Sequence, residues 1–202
     1  MIVFELKSKM LRRQARAGDD VAAMADLAQA LVRPQAQAME RHAVLHEHGA
    51  ITLTRETSKT TITLRSREVL KVSITRGDLG SLHDRPFLQP FLRTGCIVEF
   101  ITRDPARRHE LDPLYEWFRK LKAAAARADE NILNCRIPFS TSWSLSVFQL
   151  LLLLENTCDN ESFAVELQRT RRMATPLRDF YAEYEFALKL KKFGEEQNRQ
   201  KN

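Results

Sequence analysis

The sequence predicts an α+β protein in which a small antiparallel sheet is packed by helices from both ends of the chain. Between residues 50 and 76, apolar residues alternate with polar ones, many of them threonine, as in strands that bury one face. On both sides of this segment, apolar residues recur every three or four positions, as in amphipathic helices. A third pattern, the apolar run Trp143–Leu154, ends in five consecutive leucines.

Residues 1–49 are predicted to form an N-terminal helical segment. An apolar stripe favours a helix over Val21–Val32. Pro34 then interrupts this helix, because proline lacks the backbone N–H that the helix needs. A second helix over Gln35–His48 is expected to end at Gly49, since glycine is a common C-terminal cap.

The central segment, residues 50–130, is predicted to hold the sheet and one helix. The expected strands are 50–56, 60–66, 68–76 and 96–102, the first three forming an antiparallel meander. Residues 81–94 contain two prolines and are expected to form an irregular loop. Asp112 and Pro113 suit a helix start, as a cap and a first helical residue, and the helix that follows contains Trp117.

The C-terminal segment, residues 131–193, is predicted to be helical, with a tail over 194–202 that has no apolar residue. The leucine run predicts a helix over 142–156 that is too short for a membrane span of about 20 residues. Leucines on every side of that helix indicate burial in the core or, alternatively, against a partner. Asp159 or Asn160 should start the next helix, and Thr175–Pro176 the last. We expect these segments to form one compact unit.

The positive charge of the chain is concentrated in its middle. The net charge is +6, and residues 50–127 contain 15 basic and 9 acidic side chains, which equals the whole excess. Such a segment favours an anionic partner, although a solvated basic surface would show the same composition. The candidate anion-binding or nucleic-acid-binding residues are Arg103, Arg107, Arg108, Arg119, Lys120, Lys122 and Arg127.

No catalytic, metal-binding or cofactor-binding residue is predicted. His42 and His46 share a helix face at a spacing that could hold zinc, but HExxH and a third ligand are missing. Glu110, Asp112 and Glu116 are close in sequence without any sign of a cleft, and no GxSxG, Walker or GxGxxG motif is present. The three cysteines form no CxxC motif and favour a reducing, intracellular compartment. The basic N-terminus is also compatible with an organellar address.

One stretch resembles a known family of binding modules. Gly95–Arg103, followed by the Trp117 helix, is similar to the closing strand and C-terminal helix of pleckstrin-homology-type barrels. Phe100, Trp117 and Leu121 carry this resemblance, which covers about residues 50–127. The family has seven strands and the sequence predicts four here. The resemblance implies a partial barrel that acts as a binding module.

The sequence therefore favours a non-catalytic, basic binding or scaffold subunit of a larger assembly. Its partners would be proteins, with RNA or another polyanion at the basic segment, and no transmembrane segment is expected. Two alternatives remain open. One is an enzyme whose site is assembled only in three dimensions, and the other is a membrane-surface or protein adaptor of the pleckstrin-homology type.

Overall fold

The computed structural model describes residues 1–56, 58–130, 132, 139–172 and 179–200, with backbone alone for 172 and 194–200. The strands are β1 (Ile2–Lys7), β2 (Ala50–Arg55), β3 (Ser58–Thr63), β4 (Leu70–Thr75) and β5 (Ser142–Ser146). The helices are α1 (Arg13–Arg16), α2 (Asp20–Leu27), α3 (Arg33–His48), α4 (Arg85–Ile97), α5 (Asp112–Arg127), α6 (Val147–Glu155), α7 (Asn160–Arg169) and α8 (Phe180–Gln200). Within these residues the fold mixes helix and strand around a small sheet, as predicted.

The central sheet has three strands in the order β1-β4-β5, all parallel. Ile2 pairs with Leu70 at the start of the β1–β4 ladder, and Lys71 pairs with Ser142 at the start of the β4–β5 ladder. All six residues of β4 are buried, because β4 has a strand on each edge and helices on each face. The sheet therefore brings together strands from the beginning, middle and later part of the chain.

The predicted antiparallel meander is wrong in its third strand. β2 and β3 do form an antiparallel hairpin, in which Ala50 pairs with Thr63 and Arg55 with Ser58. β4 does not pair with this hairpin; it pairs with β1 and β5. An alternating pattern shows that a strand has a buried face, but parallel partners are distant in sequence and leave no local turn signal.

Residues 81–102 form a helix and a coil rather than the predicted loop and fourth strand. α4 spans Arg85–Ile97 and tolerates Pro86 because the first turn of a helix lacks acceptors for its N–H groups. Leu88, Leu92 and Cys96 are buried at a helical spacing of four residues. The resemblance to a pleckstrin-homology barrel is not confirmed, since residues 98–103 contain no strand.

The N-terminal segment begins with a strand that the sequence interpretation missed, and its two helices run on without a break. A π-helical stretch, Ala28–Val32, connects α2 to α3. A π-helical stretch is wider than an α-helix and accommodates Pro34. Proline has no N–H to donate, and the wider turn before it does not require the i→i−4 hydrogen bond. α3 ends at Gly49, whose φ of 69° lies in the left-handed region, as predicted for a glycine cap.

Two apolar cores lie against the sheet. The first contains residues of α2–α5, and its Phe118 ring packs so closely on Gly95 that a Cβ there would clash with the ring. The second contains the apolar side chains of β4 and β5, including Trp143, packed by residues of α6–α8. The fold therefore has helices on both faces of its sheet.

The leucine run is a partly exposed helix, which corrects the prediction of a central helix over 142–156. Residues 142–146 form β5, and α6 begins after Ser146, whose side chain accepts a hydrogen bond from the Gln149 N–H. Leu153 is fully buried, but Leu151 is 49% exposed. A nine-residue helix on the surface of a sheet buries one face only, whatever the composition of the other face.

The remaining C-terminal predictions have mixed outcomes. Asp159 caps α7 as expected, accepting from the Ser162 N–H at 2.7 Å. The tail prediction is wrong for the backbone of residues 194–200, where α8 continues to Gln200, because Glu, Gln and Arg are good helix formers. Thr175–Pro176 lies outside the described residues. Asp112 is the first residue of α5 and not its cap as predicted, because Leu111 occupies the cap position.

Candidate functional site

One face of the central sheet is polar although it is buried. Six polar residues of β4 and β5 lie on this face and are buried: Lys71, Ser73, Thr75, Ser142, Ser144 and Ser146. Burying polar groups is unfavourable unless they have hydrogen-bond partners. Gln35, His83 and Glu130, from three other parts of the chain, provide partners for four of them, while the buried Ser142 Oγ has none among the described residues.

Gln35 of α3 ties the helix to two strands. Its side-chain Nε2 donates to Ser73 Oγ at 3.1 Å and to the Trp143 carbonyl oxygen at 2.7 Å. The Ser73 hydroxyl donates to the same carbonyl oxygen at 3.1 Å. This arrangement fixes β4, β5 and α3 relative to one another, which is a structural role.

His83 lies between two strand hydroxyls. Its Nδ1 is 2.8 Å from Ser144 Oγ, and its Nε2 is 3.2 Å from Thr75 Oγ1. Because the Thr75 hydroxyl donates to the Gly77 carbonyl at 2.6 Å, it accepts from Nε2–H, and Nδ1 then accepts from the Ser144 hydroxyl. Burial lowers the pKa of His83, which favours this neutral tautomer.

The Ser144–His83 pair does not support nucleophilic catalysis. A serine nucleophile must reach its substrate, and both side chains are buried. The second imidazole nitrogen contacts a threonine hydroxyl, whereas a catalytic histidine is usually oriented by a carboxylate. We therefore interpret this pair as part of the buried hydrogen-bond network.

An apolar groove lies on the opposite face of the sheet, along the free edge strand β1. It has a volume of about 570 Å³. The helices of the second core cover β4 and β5 but leave Phe4 and Leu6 exposed, and Leu6 is 71% exposed. The lining residues are Phe4, Leu6, Ile74, Leu150, Leu154, Thr157, Cys158, Asp159, Asn160 and Phe163. Grooves of this kind commonly receive a protein segment or a ligand.

Helix α8 has apolar side chains on two opposite sides. Tyr184 and Leu188 pack in the second core. Phe186, Leu190 and Phe193, which we call the α8 stripe, are each more than half exposed. These three residues are spaced by four and three positions, so they share one side of the helix, about half a turn from Tyr184 and Leu188.

The seven predicted anion-binding residues differ in whether they have a carboxylate partner. Four of them form ion pairs: Arg107 with Asp19 and Glu110, Arg108 with Glu99, Lys120 with Glu116, and Arg127 with Glu40 and Glu47. Arg103, Arg119 and Lys122 are exposed and have no ion pair with another described residue. The ion pairs place Arg107 next to the start of α2 and Arg127 next to α3.

The three histidines of α3 do not converge with a third ligand in the part of the chain that is described. The rings of His42 and His46 are 6.5 Å apart and edge-to-face, and His48 is exposed. Within the same residues, no three His, Cys, Asp or Glu side chains are close enough to hold a metal ion. Cys96 and Cys158 are free thiols, and Cys135 lies outside the described residues.

His42 should make the protein sensitive to mild acid. Burial, followed by the nearby Lys71 ammonium and opposed by Glu130, lowers the pKa of His42 to about 4. Between pH 4 and the ordinary value near 6.5, the unfolded chain binds the extra proton, so stability falls as the pH falls through this window. The full shift would equal about 3 kcal/mol, and solvent at this partly exposed ring reduces it to about 1–2 kcal/mol.

Urea unfolding at pH 7, 5.5 and 4 measures this effect in the wild type and in His42→Gln. Carboxylates contribute equally to both proteins, so the difference between the two pH profiles isolates the imidazole. We expect the variant to lose less stability than the wild type between pH 6.5 and 4. Parallel profiles would show that His42 titrates normally.

No helix among the described residues is long and apolar enough to cross a membrane. A comparison of the chain with protein-family models, curated proteins and solved structures finds no match in any of the three.

The sequence interpretation missed both apolar surfaces. Ile2, Phe4 and Leu6 alternate with other residues, which is a period-two signal for β1 that could have been recognised. The spacing of Phe186, Leu190 and Phe193 is also visible in the sequence. What the sequence could not show is that β1 pairs with β4 and leaves its apolar side chains uncovered.

Proposed function

We propose that this protein is a non-catalytic scaffold subunit that binds protein chains through the groove along β1. We further propose that the occupant of the groove is the α8 stripe of a second copy. The observation that carries the proposal is the presence, on one chain, of an open apolar groove and an exposed apolar helix face. Helix-in-groove recognition uses anchors at i, i+4 and i+7, which is the spacing of Phe186, Leu190 and Phe193.

Charge supports the same pairing. Residues 186–193 of α8 contain three lysines and no carboxylate. Lys189 pairs with Glu185 and Lys191 with Glu166, so Lys192 is the lysine of this stretch without an ion pair to another described residue. Residues 155–161, which form the end of the groove between α6 and α7, contain Glu155, Asp159 and Glu161 and no basic residue. Opposite charges around an apolar contact favour one orientation of the helix and speed association.

If each copy inserts its α8 into the other, the contact is isologous and closes as a dimer. Such an exchange would cover Leu6 and Leu190 on both copies, which are among the more exposed apolar residues in the described chain.

The contact predicted for a polyanion is a separate and smaller part of the proposal. It is now confined to Arg103, Arg119 and Lys122, because the other four candidates already have carboxylate partners. Arg119 and Lys122 are three residues apart on α5 and so share a side of the helix. Exposed cations of this kind suit the phosphate backbone of RNA.

The test measures molar mass in solution for the wild type, a groove variant, Leu6→Glu, and a stripe variant, Leu190→Glu. Both positions are exposed, so neither variant should unfold. We expect a concentration-dependent wild-type dimer and two monomeric variants. A control variant, Ile101→Glu, changes an apolar residue that is 85% exposed and lies outside both surfaces, and it should dimerise normally.

A mixture of the two variants makes the test specific. The stripe variant keeps an intact groove and the groove variant keeps an intact α8, so an equimolar mixture should form a heterodimer with one of the two contacts. A monomeric wild type at every concentration would contradict the proposal. So would a mixture that stays monomeric, or an Ile101→Glu variant that behaves like the other two.

A further inference from the structure

Strand β1 is a free edge of the central sheet. The strand order is β1-β4-β5, so β1 has a neighbouring strand on one side only. The residues of the other edge strand, β5, are all buried, whereas Phe4 and Leu6 of β1 are exposed. β1 pairs with β4 without a bulge and contains no proline. Bulges, prolines and exposed charges are the usual features that keep an edge strand from pairing with another chain.

The hydrogen-bond register shows which backbone groups of β1 are free. The Leu70 N–H donates to the Met1 carbonyl oxygen at 2.8 Å, and the Arg76 N–H donates to the Lys7 carbonyl oxygen at 3.0 Å. Every second residue of a strand in a parallel ladder bonds to a given neighbour, so the odd-numbered residues of β1 bond to β4. The even-numbered residues point their N–H and C=O groups away from β4, and no hydrogen bond from another described residue reaches these groups. These free-edge residues are Ile2, Phe4 and Leu6.

The side chains of β1 divide in the same way. Glu5 pairs with Arg41 of α3 at 2.9 Å and with Lys7 at 3.8 Å, so the charged side chains of β1 lie on the face that α3 covers. Phe4 and Leu6 line the groove on the opposite face. The free backbone groups and the exposed apolar side chains therefore belong to the same residues. An added strand would satisfy the backbone groups and cover part of the apolar surface.

We propose that the β1 strands of two copies pair with each other in the dimer and join two three-stranded sheets into one continuous sheet. A twofold axis makes two copies of the same strand edge antiparallel. The inference rests on the dimer proposed above, because a ladder between two six-residue strands is smaller than the about 1,200 Å² that stable interfaces bury. The exchange of α8 supplies the larger contact, and the ladder fixes the relative position of the two copies.

One register satisfies all the free-edge residues. Their free groups lie on even-numbered residues, so these must face even-numbered residues of the second copy. With Phe4 opposite Phe4 of the second copy, Ile2 lies opposite Leu6, and all three free-edge residues have a partner. Every other register leaves Ile2 or Leu6 without a partner in β1. The register that pairs Phe4 with Leu6 also places two Glu5 residues opposite each other, where like charges repel.

Amide hydrogen exchange, followed residue by residue with NMR, tests the pairing. In the monomeric variant Leu190→Glu, the N–H groups of Val3 and Glu5 should be protected by β4, while those of Phe4 and Leu6 should exchange freely. In the wild-type dimer we expect the Phe4 and Leu6 N–H groups to exchange at least tenfold more slowly, to an extent that increases with protein concentration.

Three outcomes would overturn the inference. A wild-type dimer in which Phe4 and Leu6 exchange as fast as in Leu190→Glu would do so while leaving the α8 contact in place, and the edge would then be open to an extended segment of another protein. Equal protection in the wild type and in Leu190→Glu would show that the edge is covered within one chain. A wild type that is monomeric at every concentration would contradict both the dimer and the ladder.

A pair of variants at Phe4 separates the backbone from the side chain. Phe4→Pro and Phe4→Ala both remove the exposed ring, but proline also removes the N–H that would bond to the second copy. This N–H takes no part in the β1–β4 ladder, so Phe4→Pro should remain folded. We expect the dimer of Phe4→Pro to have a dissociation constant at least tenfold above that of Phe4→Ala. Equal constants would count against the ladder.

A cysteine at position 4 tests the register in a Cys135→Ser, Cys158→Ser background. In the proposed register the two Cβ atoms at position 4 are about 5 Å apart, so Phe4→Cys should form an intermolecular disulfide under mild oxidation. The matched control is Leu6→Cys, whose neighbour in the second copy is Ile2, and it should cross-link at least tenfold more slowly. Faster cross-linking of Leu6→Cys, or equal rates, would overturn the register.

Discussion

Replacing Leu153 with Asp should unfold the protein, whereas the same change at Leu151 should leave it folded. Leu153 is fully buried in the second core, which also contains Trp143 and Leu167. An aspartate there is an unpaired buried charge that costs more than about 4 kcal/mol, which is a large share of the stability of a domain. Leu151 is 49% exposed, so its replacement should cost less than about 1 kcal/mol.

Circular dichroism and urea unfolding of both variants provide the measurement. The two positions lie two residues apart in α6, so helix propensity changes almost equally and burial alone distinguishes them. If Leu153→Asp were as stable as the wild type, α6 would not pack on the sheet as described. If Leu151→Asp also unfolded, the leucine run would be buried on every side.

The leucine run predicts a helix but neither its first residue nor its buried side. Five consecutive leucines correctly indicate a helix that packs on a core. They do not show where the helix starts, because Trp143–Ser146 has a strand pattern that merges with the run. They also do not show which side is covered, because that depends on β4, which is about 80 residues away in sequence.

Short-range signals were the ones that the sequence interpretation used correctly. The Gly49 cap, the Asp159 cap and the β2–β3 hairpin each depend on residues within a few positions of one another. The parallel ladders join residues nearly seventy positions apart, such as Ile2 and Leu70, and no local pattern encodes them. The candidate surfaces depend on these ladders, which is why the basic cluster was predicted and the groove was not.

The sequence also did not predict which polar side chains are buried. Lys71 alternates with apolar residues in β4, a pattern that is typical of a side chain on the solvent-facing side of a strand. In the folded chain its side chain is fully buried and its Nζ donates to Glu130 Oε2 at 2.9 Å. Glu130 follows α5 in the chain, and only the packing of α5 on α3 brings it to the sheet.

Glu130→Gln should destabilise the protein by about 3–5 kcal/mol. It leaves the Lys71 ammonium buried without its counter-charge, which is the costly way to break a buried ion pair. Glu130 Oε1 also accepts a hydrogen bond from the Phe139 N–H at 3.0 Å, and the glutamine oxygen can keep that contact. The amide NH2 group that replaces Oε2 cannot accept from Lys71, so the variant removes the negative charge together with the acceptor of the Lys71 hydrogen bond.

A second variant, Lys71→Met with Glu130→Gln, should recover most of that loss, because it removes the buried charge as well as its partner. The two variants and Lys71→Met alone form a double-mutant cycle, measured by urea unfolding at pH 7. Similar losses in Glu130→Gln and in the double variant would show that the ion pair contributes little and that packing at Lys71 dominates.

The pH dependence of Glu130→Gln provides an independent check. Burial already lowers the pKa of Lys71, and loss of the Glu130 charge should lower it further. Between that lowered pKa and the ordinary value of 10.5, the unfolded chain binds more protons than the folded chain, so stability rises with pH across this window. We therefore expect the deficit of Glu130→Gln, measured against the wild type, to shrink as the pH is raised from 7 toward 10. A deficit that stays constant over that range would mean that the Lys71 ammonium reaches water in the variant, and the burial of this side chain would then depend on Glu130 itself.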